Sequence, residues 1–213
     1  MYINSFNFSF LMKYTYKEIK SPSKGLYREK GSKFISYSFP LYLETDVKDK
    51  IDELKKIHQG AQHFCYAYII NPDKSTQRSY DDGEPSSTAG KPILGQITSN
   101  DLTNILIVVI RYYGGVKLGI RGLIRSYKTA SIEAIRSAQI ITKTIKEQYE
   151  VIFKYPQMNI IMRIVKEFNL EIIDTDFKIE CKLIFTVPKN KKKMVMNILN
   201  NKHQLSINYI KTI

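Results

Sequence analysis

Residues 105–110 read Ile-Leu-Ile-Val-Val-Ile, and this unbroken apolar run constrains the fold more than any other feature of the chain. An alternating strand leaves one face to water, whereas a continuous run fits a central strand buried on both faces. A glycine-rich turn follows, and then a helix over residues 118–138. Leu123, Ile124, Tyr127, Ala130, Ala134 and Ile135 recur there at helical spacing. No window of the sequence approaches the roughly 20 apolar residues of a membrane span.

Upstream, residues 32–39 alternate as a strand and end at Pro40. Residues 46–58 read as a helix, with Val47, Ile51, Leu54 and Ile57 on one face and Gly60 as its stop. Residues 63–70 form an alternating strand, closed by a turn at Asn71, Pro72 and Asp73. The polar stretch 74–90 reads as a long loop, of a length that is often functional. Pro92 then suits the start of a short helix whose apolar face is Ile93, Leu94 and Ile97.

After about Gln139 the pattern restarts. Strand-like segments at 148–153, 171–177, 178–187 and 205–210 alternate with helical periodicity at 156–168 and 188–201. That βαββαβ order is the ferredoxin-like split motif. The chain is therefore expected to be of α/β (α+β) class with two domains, 14–140 and 147–213, and a linker near 139–147.

Lys and Arg number 33 against 20 Asp and Glu, a net charge of +13. Such a surface favours a polyanionic partner, because neutralising phosphates releases counterions; a basic surface can also serve solubility alone. The two cysteines, Cys65 and Cys181, fall in different domains, so a disulfide framework is not indicated and a reducing cytoplasm fits. With His58, His63 and His203 they give no zinc-type spacing, and His63 and Cys65 read as alternating strand residues rather than ligands. No metal or cofactor is expected. The first twelve residues lack early Lys or Arg and a small-residue cleavage site, so a signal peptide is not indicated, and Met12 reads as an alternative start.

Two segments carry candidate chemistry. In the first, Gly114, Gly115, Gly119 and Gly122 lead from the apolar strand into the helix, surrounded by Arg111, Lys117, Arg121, Arg125 and Lys128. No Asp or Glu occurs from residue 102 to residue 132. Arg121, Arg125 and Lys128 share a helix face by spacing. Backbone N–H groups at a helix start, joined by guanidinium forks, make an anion site; the alternative is a tight turn beside a solvated basic face. Neither Walker-loop nor dinucleotide-fingerprint spacing is present. Tyr112 and Tyr113 can stack on bases, although neighbours on a strand face opposite sides.

The second segment holds Asp81, Asp82 and Glu84, followed by Ser86, Ser87, Thr88 and Lys91. Three close carboxylates can bind Mg²⁺ or serve as general acids and bases. They can equally anchor Arg111 or Lys117, with the hydroxyls capping the next helix. With no His partner or nucleophile–base pair evident, anchoring and capping is the favoured reading and no catalytic residue is assigned.

These segments resemble the YigZ/IMPACT family, also called uncharacterised protein family 0029. The resemblance is carried by Gly31-Ser32-Lys33-Phe34-Ile35, His63-Phe64-Cys65-Tyr66-Ala67-Tyr68, Asp81-Asp82-Gly83-Glu84-Pro85, Thr88-Ala89-Gly90-Lys91-Pro92-Ile93-Leu94 and the run from Arg111 through Gly119. It covers about residues 14–138. Where members commonly have a small residue between Gly119 and Leu123, this chain has Ile120-Arg121-Gly122. The resemblance implies an N-terminal two-layer α/β domain like domain IV of elongation factor G and a small-subunit ribosomal protein. It also implies a C-terminal domain like domain V of that factor. Eukaryotic members regulate translation by interfering with activation of an amino-acid-starvation kinase, through an additional partner-binding domain that is not expected here. For bacterial members nucleic-acid binding is the usual proposal.

The leading expectation is a non-enzymatic protein that binds RNA or the ribosome through the surface from Arg111 to Lys128. Lys189, Lys191, Lys192 and Lys193 would extend that footprint. The alternative is an enzyme or receptor for a phosphorylated metabolite or nucleotide, which requires Asp81, Asp82 and Glu84 to converge with Lys91 and Arg111 on one pocket. A third reading is a module that docks an acidic protein partner.

Overall fold

A computed structural model of the chain describes residues 14–178, 180–202 and 205–213. The alternative start at Met12 and the histidine at 203 lie outside the described residues. The described residues divide into two compact units, one spanning Tyr16–Lys143 and the other running from Thr144 to Ile213 together with Tyr14 and Thr15.

The first unit is built on a five-stranded antiparallel sheet. Its strands are β2 (Ser23–Glu29), β3 (Ser32–Pro40), β4 (His63–Ile70), β5 (Thr76–Tyr80) and β6 (Ile105–Tyr112), in the order β2-β3-β6-β4-β5. The apolar run is the middle strand, and all six of its residues are fully buried. Ile105, Ile107 and Val109 face α2 (Gly90–Ser99) and α3 (Gly119–Ser137), where they meet Ile93, Ile97, Leu123 and Tyr127. Leu106, Val108 and Ile110 face the other way, toward Val47 and Leu54 of α1 (Asp46–Ile57). Helices thus lie on both faces, one layer more than the two expected, because the even-numbered residues of β6 also need an apolar cover. Each such side chain contributes roughly 1.5–3 kcal/mol on burial.

Three segments depart from the sequence reading. Thr76–Tyr80, expected within a loop, is the edge strand β5, paired with β4 from Tyr66 to Ile70. Its polar composition suits a strand that is half solvated. Ile140–Thr144, expected as linker, is β7, which pairs with β1 (Thr15–Ile19) in a separate two-stranded sheet. β2 was also not anticipated, since Gly25 interrupts its pattern.

The second unit contains β8 (Lys146–Phe153), α4 (Met158–Glu167), β9 (Glu171–Phe177), β10 (Cys181–Pro188), α5 (Lys192–Asn200) and β11 (Ser206–Thr212). The sheet order β11-β8-β10-β9 is that of a ferredoxin-like domain. Alternate residues Val151, Phe153, Leu183 and Phe185 pack on Ile161, Ile164, Val195 and Leu199 of the two helices. Among the described residues, no helix is long and apolar enough to cross a membrane.

Candidate functional site

The acidic loop is a brace, with each carboxylate assigned a different structural partner. Asp81 accepts hydrogen bonds from the backbone N–H groups of Ser87 at 2.8 Å, Ala89 at 3.0 Å and Gly90 at 2.8 Å. It therefore caps α2 from outside the helix, satisfying donors that the helix itself cannot. Burial alone would raise the Asp81 pKa, but the three backbone donors, helped by Lys91, outweigh it and hold the carboxyl below its ordinary value. Asp82 accepts from the Phe64 N–H at 2.6 Å, and its carbonyl lies 2.8 Å from Nδ1 of His63. Thr88 donates to the Pro85 carbonyl at 2.6 Å and closes the turn, while Lys91 remains exposed.

Glu84 turns inward. Its Oε1 accepts from Nη1 of Arg111 at 2.6 Å and from the Tyr127 hydroxyl at 2.8 Å, and Nε2 of His63 lies 4.0 Å away. The Arg111 side chain is 7% exposed and that of Glu84 3%. The guanidinium also lies 5.6 Å from the Phe34 ring centroid and 5.5 Å from that of Tyr113. Burial is the main reason that the Tyr127 hydroxyl and the Cys65 thiol are both raised far above their ordinary pKa values. The thiol donates toward the Asp81 carbonyl at 2.9 Å, so Cys65 is a packed strand residue.

These positions correct two expectations about the basic surface. Arg111 is not a surface cation: strand alternation aims it with Val109 toward α3, where Glu84 holds it. Tyr112 points to the opposite sheet face, where its hydroxyl lies 2.9 Å from Nδ1 of His58. The three carboxylates do not converge with Lys91 and Arg111 on one pocket. Among the described residues no three His, Cys, Asp or Glu side chains are grouped to hold a metal ion.

The remaining cations stay outside. The turn begins where Gly114 passes so close to β3 that a Cβ there would lie 1.9 Å from the Gly31 carbonyl carbon. Ser32 accepts the Gly114 N–H at 3.2 Å and pins this approach. Gly115 and Gly119, at φ +82° and +68°, then swing the chain into α3. Among the described residues, no side chain caps α3 at its N-terminus and no acid occupies its first turn. Lys117, Arg121 and Lys128 are exposed, with no hydrogen-bond or ion-pair partner among the described residues. Arg125 is exposed too, but its Nη2 contacts Glu29 at 3.0 Å. Glu29 could not be anticipated as its partner, being 96 residues away on an unrecognised strand.

The lysines of the second unit are less available than expected. Lys191 donates to the Phe168 carbonyl at 3.1 Å and Lys192 pairs with Glu147 at 2.8 Å. Sequence reasoning also missed the hydroxyl of Tyr127, which sits on the helix's apolar stripe yet binds Glu84.

The Impact N-terminal domain model matches residues 30–135, which include the brace, the glycine turn and most of α3. An IMPACT family member of Haemophilus influenzae is 31% identical over 160 residues, covering 74% of this chain and 78% of that protein. The IMPACT family member YigZ of Escherichia coli is 35% identical over 130 residues, covering 60% and 64% respectively. A crystal structure of a hypothetical protein superposes with a TM-score of 0.72 at 27% identity, over 93% of this chain and 98% of that one. A buried Arg111–Glu84 brace behind an exposed basic glycine turn is thus set in a sequence and a fold that match at both levels, and the chain belongs to the IMPACT family.

Proposed function

We propose that the chain is a non-enzymatic, cytoplasmic protein that associates with RNA or the ribosome and acts in the regulation of translation. One observation carries this reading. Among the described residues the start of α3 has no cap or acid, Lys117 and Arg121 stand exposed and unpaired beside it, and Lys128 is exposed and unpaired farther along the same helix. The contrast with α2 is direct, because there Asp81 occupies the free N–H groups. An uncapped helix start beside Lys117 and Arg121, with Lys128 continuing the exposed charge along α3, suits phosphate oxygens. The family's eukaryotic members regulate translation, which supports placing such a surface in that process.

The test is fluorescence anisotropy with a labelled single-stranded RNA across a salt series. Three neutralised phosphates predict that affinity falls roughly 20-fold as salt rises fourfold. Arg121→Glu should weaken binding and flatten the salt dependence. Affinity indifferent to salt and to that substitution overturns the reading, and copurification of a protein that survives nuclease treatment would instead mark an acidic protein partner.

A further inference from the structure

On the sheet face opposite α3, a cleft of about 390 Å³ opens between α1 and the β4–β5 edge. Alternation places Phe64, Tyr66 and Tyr68 of β4 on this face, and the register sets Tyr80 beside Tyr66 and Arg78 beside Tyr68. The rings make a continuous surface. Tyr66 and Tyr68 are within 7° of parallel at 6.4 Å, and Tyr66 meets Tyr80 at 5.4 Å with the two planes tilted by 39°, so that Tyr80 forms the side of a shallow aromatic trough. Tyr68 is the floor at 1% exposure, whereas Tyr80 is 47% exposed. The facing wall is a row of α1 side chains at helical spacing, Lys48, Asp52 and Lys55.

The charge pattern narrows the occupant. Three cations and three carboxylates line the cleft, so it is not a track for a long polyanion. Two of the carboxylates are already engaged, Glu44 by the Tyr68 hydroxyl and Asp82 by the Phe64 N–H. Lys48 and Arg78, in contrast, have no hydrogen-bond or ion-pair partner among the described residues. An apolar ligand would bury these charges unpaired, at high cost. What fits is a ligand with a flat aromatic face, polar N–H edges and one compact anionic group. The cleft volume lies within the range of ordinary small-ligand sites.

We propose that this cleft binds a nucleotide, with its base against Tyr66 and Tyr80 and its phosphate on Lys48 and Arg78, either free or as one unit of single-stranded RNA. Base–aromatic stacking tolerates any base, since each has a π-face. The site does not depend on the α3 surface. That surface is read through Arg121→Glu in the salt series, so either reading can fail while the other stands.

Isothermal titration calorimetry with AMP, with a short oligoadenylate and with inorganic phosphate tests the proposal. The expected result is saturable binding of AMP or of the oligoadenylate, weakened about tenfold or more by Tyr80→Ala and retained by Tyr80→Phe. Binding of both identifies a site for free nucleotide, and binding of the oligoadenylate alone identifies a unit of RNA. Because Tyr80 is half exposed on an edge strand, Tyr80→Ala should keep the fold, and Lys48→Glu on α1 gives an independent check. Binding by neither ligand overturns the proposal. So does an affinity unmoved by both Tyr80→Ala and Lys48→Glu, or competition by inorganic phosphate as effective as that by AMP.

Discussion

The guanidinium of Arg111 lies 2.6 Å from the carboxylate of Glu84, with both side chains almost fully shielded from water. Arg111 is the last residue but one of the central strand and Glu84 is the third carboxylate of the acidic loop, so the pair ties the two segments together at the base of the glycine turn. Nε of Arg111 is buried with no hydrogen-bond partner among the described residues, so the pair is held mainly through the terminal nitrogens. Removing one partner leaves the other charge buried alone, which typically costs about 3–5 kcal/mol. Glu84→Ala and Arg111→Ala should each lower the unfolding free energy read from urea denaturation by that much, whereas the double variant Glu84→Leu with Arg111→Met should recover most of the loss. Equal destabilisation by all three variants would show that the pair contributes through packing and not through charge.

Asp81 is the second support, and its effect depends on pH. Its folded-state pKa is depressed, so its contribution is fully present above the unfolded value of about 3.9 and is lost as pH falls through the folded value. Asp81→Asn should cost about 1 kcal/mol or more at pH 7, within the range for losing a helix cap. The difference between wild type and variant should shrink toward pH 3. Urea denaturation at both pH values reads this directly.

Much of this arrangement was legible in the sequence where one local pattern decides the outcome. Ile105 to Ile110 reads as an inner strand, and the βαββαβ order follows from the periodicity of the second half of the chain. The anchoring role of the acidic loop was legible from the lack of a nucleophile or base partner. The interior position of Arg111 was not. It depends on which face of β6 meets α3 and on Tyr127, whose hydroxyl is hidden within an apolar stripe. Thr76–Tyr80 was illegible as a strand because an edge position tolerates the same polar residues as a loop. The lysines before and within α5 read as free because Glu147 and the Phe168 carbonyl approach them only after folding.

His58 gives a prediction in a different pH window. Its ring lies between two hydroxyls, with Nε2 at 3.0 Å from Tyr37 and Nδ1 at 2.9 Å from Tyr112. A neutral imidazole satisfies both contacts, donating through one nitrogen and accepting through the other, because each hydroxyl can take either role. Burial first, and then the charges of Lys24 and Lys33, lower its pKa. The unfolded chain thus binds the proton more readily, and stability present above about pH 6.5 is lost as pH falls. Between pH 7.5 and 5.5 the wild-type melting temperature should fall, and His58→Gln, less stable at pH 7.5, should show a flatter profile. Parallel profiles for the two proteins would remove His58 as the cause.

Gly114 and Gly115 are neighbours with different reasons to be glycine, and alanine at each position separates them. At Gly114 a Cβ would meet the β3 backbone at 1.9 Å from the Gly31 carbonyl carbon and 2.2 Å from the Ser32 nitrogen. Backbone atoms cannot rotate away, so Gly114→Ala must push the turn off β3 and break the hydrogen bond to Ser32. At Gly115 nothing lies within 4 Å of an added Cβ, and the obstacle is φ +82° alone. That conformation costs an L-residue roughly 1–2 kcal/mol. Gly115→Ala should therefore remain folded with a modestly lower melting temperature. Gly114→Ala should lose much more stability and, if it still folds, should also weaken the proposed RNA binding by displacing Lys117. Thermal melting of both variants beside the anisotropy assay decides the matter, and equal losses would contradict the close approach of the glycine turn to β3.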